Sequence, residues 1–281
     1  MQSVIYYRRD RGMSSEIEEA AIEATFRVVH SRLDIVSGEV CIARYSALPF
    51  YKELEEDLAR RGARLINSYR QHRWIANLGD WYQDFEGLTP QTWHRLDLVP
   101  EDAFPVIVKG ETNSKKFSWD THMFARTRQE AAVVVGNLMD DGFIGVQPLF
   151  FRKYVPLHTY LIGFRSLPIT KEFRVFICNR KVLSIGYYWS NYVDDLPEKP
   201  NPADVPQDFL RKIVALVGDR VPFYVVDVAE TASGDWIVIE LNDGQLSGLS
   251  ENDPAVLYPA LRVALEIPEC CERGLEYGGK R

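Results

Sequence analysis

The sequence predicts an α+β chain in which a small open α/β unit precedes a larger, mostly antiparallel one. Up to about residue 95, strand-like and helix-like stretches alternate, the rhythm of a layered α/β unit. From Phe104 onward the strands lengthen and adjoin one another across short turns. Between the two lies "DLVPEDAFP" (97–105), whose prolines and acidic residues mark a boundary. The expected division is therefore an N-terminal unit over 1–100 and a larger one over 101–281.

In order, "SVIYYR" (3–8) and "EVCIARYS" (39–46) read as strands. "SSEIEEAAIEATFRVVHSRL" (14–33) and "LPFYKELEEDLARRGA" (48–63) have helical spacing with acidic first turns. "ARLINS" (63–68) is a strand, and a helix follows in "YRQHRWIANLGDWYQDFEG", ending near Gly79. The second unit opens with strands "FPVIVKG" (104–110) and "KKFSWDTHMF" (115–124), then a helix over 127–141 and the strand "FIGVQPLF" (143–150). "HTYLIGFR" leads to "KEFRVFICNRKVLSIGYYWS", a hairpin turning at Asn179 and Arg180. A helix "PQDFLRKIVALVG" and the strands "PFYVVDVAET" and "DWIVIELND", joined by a turn at Gly234, complete it. No internal repeat or low-complexity tract is evident.

With 281 residues, 46% of them hydrophobic, the chain can bury substantial cores. It carries no run of the roughly 20 apolar residues that span a bilayer, and "MQSVIYYRRDRG" lacks the apolar segment of a secretory signal. The expectation is a cytoplasmic protein without a membrane partner. A net charge of −7 argues against a general nucleic-acid surface, and the basic clusters "YYRRDRG", "ARRGAR" and "FRKY" read as solvated faces. Cys41, Cys178, Cys270 and Cys271 follow neither a disulfide framework nor a zinc spacing, and read as reduced thiols. The five scattered histidines, with no pair at ligand spacing, do not form a metal motif.

"DWIVIELNDGQLSGL" (235–249) ends an apolar run with Glu240 and Asn242. Side chains alternate along a strand, so Val238, Glu240 and Asn242 are expected on one face and Ile237, Ile239 and Leu241 on the other. Hairpin pairing with "VPFYVVDVAET" brings Asp227 to the same place. A buried carboxylate without a partner costs several kcal/mol, so the cluster calls for a cation or a cleft. Three hard oxygen ligands suit Mg²⁺, which fills its remaining sites with water and substrate phosphate. Phosphate would in turn need cations, and Lys109, Lys115, Lys116 and Arg174 are available. A lysine ending a strand can also reach solvent, and Arg174 can also pair with Glu172 or Asp227.

The order lysine strand, basic loop, helix, strand, arginine strand and acidic hairpin resembles the ATP-grasp superfamily. "KEFRVFI" with "VIELNDGQLSGL" is similar to its clade named for one arginine and two lysines, over residues 104–253. The resemblance implies an ATP-grasp fold preceded by a pre-ATP-grasp-like α/β domain. It also implies the cofactors ATP and Mg²⁺. Lys109 and the loop from Gly110 to Phe117, with Lys115 or Lys116 as the second lysine, would hold phosphates. Gln147, Pro148 and Leu149 would form the adenine hinge, Arg174 would reach the transferred phosphate, and Asp227, Glu240 and Asn242 would carry the metal. Arg174 and Lys109 are then the catalytic residues. The loop departs from the family pattern in having a single glycine, and "QPLFFRKY" offers no acid for the ribose hydroxyls. The activity implied is that of a ligase activating a carboxylate as an acylphosphate for attack by an amine, with peptides or proteins among the substrates. Its alternatives are an ATP-binding assembly or docking protein without turnover, as the clade's eukaryotic translation-initiation assembly factor implies, and a kinase.

Overall fold

The computed structural model describes residues 2–8, 15–193 and 195–266. Cys270, Cys271, the tail "ECCERGLEYGGKR" and most of "YYRRDRG" lie outside the described residues. Cys41 and Cys178 are buried free thiols. No helix among the described residues is long and apolar enough to cross a membrane.

The N-terminal unit runs β1 (Ser3–Tyr6), α1 (Glu16–Thr25), β2 (Arg27–Val29), β3 (Val40–Ile42), α2 (Tyr51–Arg60) and β4 (Arg64–Leu65). Its strands pair in parallel in the order β2-β1-β3-β4. The helix expected over 14–33 stops at Thr25, where the Phe26 N–H bonds to Ile22 O. The β-branched run after it becomes β2, since Val28 and Val29 fit a pleated, half-buried edge better than a helix. Next come α3 (Tyr69–Ala76), opened by a reciprocal Ser68/Gln71 capping box, and α4 (Leu78–Trp81).

The second unit contains β5 (Thr92–Trp93), β6 (Val106–Gly110), α5 (Trp119–His122), β7 (Phe124–Ala125), α6 (Arg128–Met139) and β8 (Leu149–Lys153). Its antiparallel sheet has the order β5-β8-β6-β7, so it begins ahead of the proline-rich boundary. The strand expected over 115–124 is instead a 3₁₀ turn and α5, with only Phe124–Ala125 extended. Turning the chain lets Trp119 stack on Phe124 at 5.8 Å, a contact that five residues of extended chain, spanning about 16 Å, could not make.

A two-stranded pair, β9 (Thr159–Ile162) and β10 (Pro168–Thr170), precedes the last sheet. That sheet is formed by β11 (Glu172–Cys178), β12 (Lys181–Tyr187), β13 (Phe223–Glu230) and β14 (Trp236–Asp243), in the order β12-β11-β13-β14. α7 (Gln207–Val217) precedes β13, and α8 (Pro254–Glu266) closes the described chain. Asn179 and Arg180, both at positive φ, make the β11–β12 turn as expected, and Gly234 at φ 89° lies in the β13–β14 turn. One face of this sheet packs Phe173, Val175, Val226, Val228 and Val238 with α7 and with Ile75 and Trp81. Toward its other face, Phe176, Phe223 and Val225 pack with α8 and with Ile5, Ile22 and Phe26 of the N-terminal unit.

Candidate active site

Register places three of the key polar residues on one rung of the last sheet. Arg174 of β11 is opposite Asp227 of β13, which is opposite Glu240 of β14. Arg174 grips Asp227 with Nε (2.9 Å) and Nη2 (2.8 Å), and its Nη1 donates to Gly248 O at 2.9 Å. Asp227 and Lys109 are both buried, and Lys109, reaching across from β6 in the other sheet, forms an ion pair with Glu240. Asn242 sits two residues on, opposite Val225.

The expected alternation along β14 is broken in one place. Between Asp227/Glu240 and Val228/Val238 the register shifts, leaving Ile239 as an extra residue, a β-bulge. Val238 therefore leaves the face it was expected to share with Glu240 and enters the core, while Ile237 and Ile239 line the cleft beside Glu240. Without that extra residue, either Val238 would lose its core position or Glu240 would be carried away from Asp227.

The structure separates the two loop lysines. Lys115 pairs with Asp141 at 2.5 Å, beyond the end of α6. Lys116 turns inward, donating to Tyr188 Oη at 2.6 Å and lying 3.8 Å from Glu172. The Tyr188 ring also lies 4.9 Å from the Arg174 guanidinium, so both cations contact one aromatic ring. The loop's single glycine has a packing role: a Cβ on Gly110 would lie 2.7 Å from Gln147 Oε1 and 3.0 Å from Ile144.

Between the two antiparallel sheets lies a cavity of about 120 Å³. Ile107, Tyr154, Val155, Leu167, Ile237 and Ile239 form its apolar walls, with Lys109, Glu172 and Glu240 at its polar end. Gln147, Pro148 and Leu149 do not line it. They lie at the start of β8, where Gln147 Oε1 accepts from Thr112 N (3.1 Å) and so braces the lysine loop. The segment beside the cavity is the opposite end of β8 and its continuation, including Lys153, Tyr154, Val155 and Leu157. The strand starts at Leu149 rather than Phe143 because 143–147 is folded into turns, which moves its exit several residues along.

Two further residues escape a reading of the sequence. "FRKY" is not a solvated face: Arg152 is buried, with Nη1 donating to Ile239 O and Nη2 to Thr89 Oγ1, both at 2.6 Å. It thus ties β8 to the bulge beside Glu240. Glu172 is 2% exposed, lines the cavity and leaves Oε1 without a hydrogen-bond partner. Its signal was available, since Glu172 and Arg174 sit two apart on one strand face.

Electrostatics follow from this crowding. Burial pushes the Glu172 carboxyl up to about 7, with Lys116 acting against the shift. Burial also opposes ionisation of Glu240, but Lys109 and Lys116 outweigh it and hold the carboxyl below its ordinary range. Burial pulls the Lys109 ammonium down against the attraction of Glu240, and brings Arg152 down to about 10. Asp227, Glu240 and Asn242 form a hard oxygen donor set fitting a divalent cation, with cations alongside that fit phosphate oxygens.

A family model for the ATP-grasp domain, family 3 of the clade named for one arginine and two lysines, matches residues 91–261, more than half of the chain. Among solved structures, the chain resembles the ATP-grasp ligase PsnB complexed with a minimal precursor, at 11% identity and TM-score 0.58, covering 93% of this chain and 98% of that one. D-cycloserine synthetase DcsG is similar at 15% identity and TM-score 0.58, with 94% and 98% covered. D-alanine–D-alanine ligase from Bacillus anthracis, complexed with ATP, is similar at 13% identity and TM-score 0.54, with 95% and 98% covered. No curated protein matches the sequence.

Proposed function

Because the chain belongs to family 3 of the one-arginine, two-lysine clade of ATP-grasp domains, we propose that it is an ATP-dependent ligase joining a carboxylate to an amine through an acylphosphate. The observation that carries the proposal is the convergence of Lys109, Lys116, Glu172 and Glu240 at the polar end of an apolar slot between two sheets, with the Arg174–Asp227 pair across the ladder from Glu240.

In this reading the base lies in the slot beside residues 153–157, where Tyr154 and Val155 supply apolar contact. Glu172, buried with Oε1 ion-paired to Lys116 but accepting no hydrogen bond, accepts from the ribose hydroxyls, the role for which "QPLFFRKY" offered no acid. Lys109 and Lys116 hold phosphate oxygens, and Asp227, Glu240 and Asn242 would hold magnesium. Bound magnesium would supply charge neutralisation at the phosphates. Arg174 is placed by Asp227 and Gly248 O to offset charge on the moving γ-phosphoryl group. The substrate carboxylate oxygen bonds to γ-phosphorus as ADP leaves. The amine then attacks the acyl carbon, inorganic phosphate departs, and the amine gives up a proton. Ser, Cys and His need not act as nucleophiles.

The test is mass spectrometry after incubation with MgATP and a cell extract. ADP together with a new amide supports the ligase, a phosphorylated acceptor indicates a kinase, and MgATP binding without ADP release indicates a docking protein.

A further inference from the structure

We infer that Tyr188 is a positioning residue for sugar recognition: its hydroxyl holds Lys116 off Glu172 and so keeps that carboxylate open to the nucleotide. The inference rests on the reading that Glu172 accepts from the ribose hydroxyls. Lys116 has two acceptors within reach. Its ammonium donates to Tyr188 Oη at 2.6 Å and lies 3.8 Å from the centre of the Tyr188 ring. Glu172 Oε1, also at 3.8 Å, is near enough to attract it and too far to accept a hydrogen bond. The other oxygen of Glu172 accepts from Thr170 Oγ1 at 3.4 Å, and Thr170 in turn accepts from Trp189 Nε1 at 3.0 Å. Oε1 is therefore the oxygen left for a ligand, on a residue that lines the cavity.

Tyr188 is itself held in place. It opens the 3₁₀ turn Tyr188–Asn191 that follows β12, and its ring meets Trp189 edge-on at 5.1 Å. Phe117 packs against Tyr192 at 5.2 Å, so the turn bearing Lys116 and the turn bearing Tyr188 are joined at a second point. Arg174 does not compete for Oη, since its nitrogens are given to Asp227 and Gly248 O. A buried ammonium that loses one acceptor turns to the strongest other within reach, because an unmet charge is costly. Without the phenolic oxygen that acceptor is Glu172, and a shift of about 1 Å brings Lys116 to charge-assisted bonding distance. Oε1 is then occupied, and a ribose hydroxyl has to displace an ion-paired ammonium to reach it. Any withdrawal of Lys116 from the phosphates weakens ATP and its deoxy analogues alike, whereas the blocked carboxylate penalises ATP alone.

Calorimetric titration of the full chain in Mg²⁺ with ATP, 2′-deoxyATP and 3′-deoxyATP tests this. The unsubstituted chain should prefer ATP over at least one deoxy analogue by about tenfold, since a buried carboxylate left without its donor discriminates strongly. In Tyr188→Phe, which keeps the ring, that preference should fall to about threefold or less, with ATP weakened more than the analogue. Tyr188→Met, also without a hydroxyl, provides the test if the phenylalanine variant does not fold. In Glu172→Gln, which has no carboxylate to draw Lys116, adding Tyr188→Phe should leave the preference where the single substitution puts it. A Tyr188→Phe chain that weakens ATP and its analogues in parallel, as a purely structural residue would, or that keeps the full preference, overturns the inference and leaves the ribose reading standing. So does a Tyr188→Phe effect on the preference that persists undiminished in the Glu172→Gln background. An unsubstituted chain that binds all three nucleotides alike removes Glu172 from the ribose, and one that binds none removes the ATP reading; the inference falls with either.

Discussion

Arg174 engages the site through all three nitrogens of its guanidinium. It holds Asp227 through two donors, Gly248 O through a third, and lies against Tyr188. If its work is greatest as phosphoryl charge redistributes, Arg174→Ala should lower kcat by about 10²-fold or more with a smaller loss of ATP affinity. Arg174→Lys should rescue poorly, since a point charge cannot reproduce the planar fork on Asp227. ADP release and ATP titration measured on both variants check this, and an unchanged kcat in Arg174→Ala removes the catalytic role. The lysines should rank by what they face. Lys109→Ala should weaken MgATP binding by about 1.5–3 kcal/mol, the worth of a charge-assisted hydrogen bond. Lys116→Ala should come next, and Lys115→Ala should be near neutral because its partner is Asp141, outside the cleft. A Lys115 variant as impaired as the Lys109 variant would show that the loop adopts another arrangement when nucleotide binds.

Elements matter through their junctions. The bulge at Ile239 aims Glu240, and the loop after β14 carries Gly248 to Arg174. Farther along that loop, Asn252 Nδ2 donates to the carbonyl of Arg174 at 3.2 Å, and β12 packs against it at Gly186. A Cβ on Gly186 would lie 2.4 Å from Asn252 N and 2.5 Å from the Glu251 carbonyl carbon, both backbone atoms that cannot swing aside. Gly186→Ala should therefore push residues 251–252 off β12, lower stability by about 1–3 kcal/mol as overpacking does, and slow turnover through Arg174. Thermal unfolding beside an ADP-release assay tests it, and an unchanged Tm would mean that the loop yields at no cost.

At the scale of the molecule, the two units share their interior. Ile5, Ile22, Phe26 and Ile42 complete a core with Phe176, Phe223, Leu257 and Leu261. Polar links reinforce it. The buried Arg44–Glu18 pair meets Tyr258, and Arg44 Nη1 donates to Gly244 O at 2.8 Å. Asp243, next to Asn242, accepts from Tyr51 Oη at 3.0 Å and Asn67 Nδ2 at 2.9 Å. A fragment of residues 101–281 would expose this core and strip buried Asp243 of Tyr51 and Asn67, so we expect no cooperative unfolding transition from it, in contrast to the full chain. Calorimetry of both decides the matter, and a fragment unfolding cooperatively near the full chain's Tm would make the N-terminal unit dispensable for folding.

The sequence by itself determined the layered α/β opening, the antiparallel hairpins and the meeting of Asp227 with Glu240, because hydrophobic period and turn chemistry act over a few residues. Asn179, Arg180 and Gly234 mark their turns locally, and once the β13–β14 hairpin forms, its register is set. Only the tertiary structure decided which loop lysine enters the site, since Asp141 and Glu172 lie at different distances along the chain and compete as partners. It also decided that Val238 turns into the core, that the end of β8 rather than its start flanks the cavity, and that Arg152 and Glu172 are buried. Each of these depends on burial by segments many residues away, and a linear pattern holds no record of what will cover it.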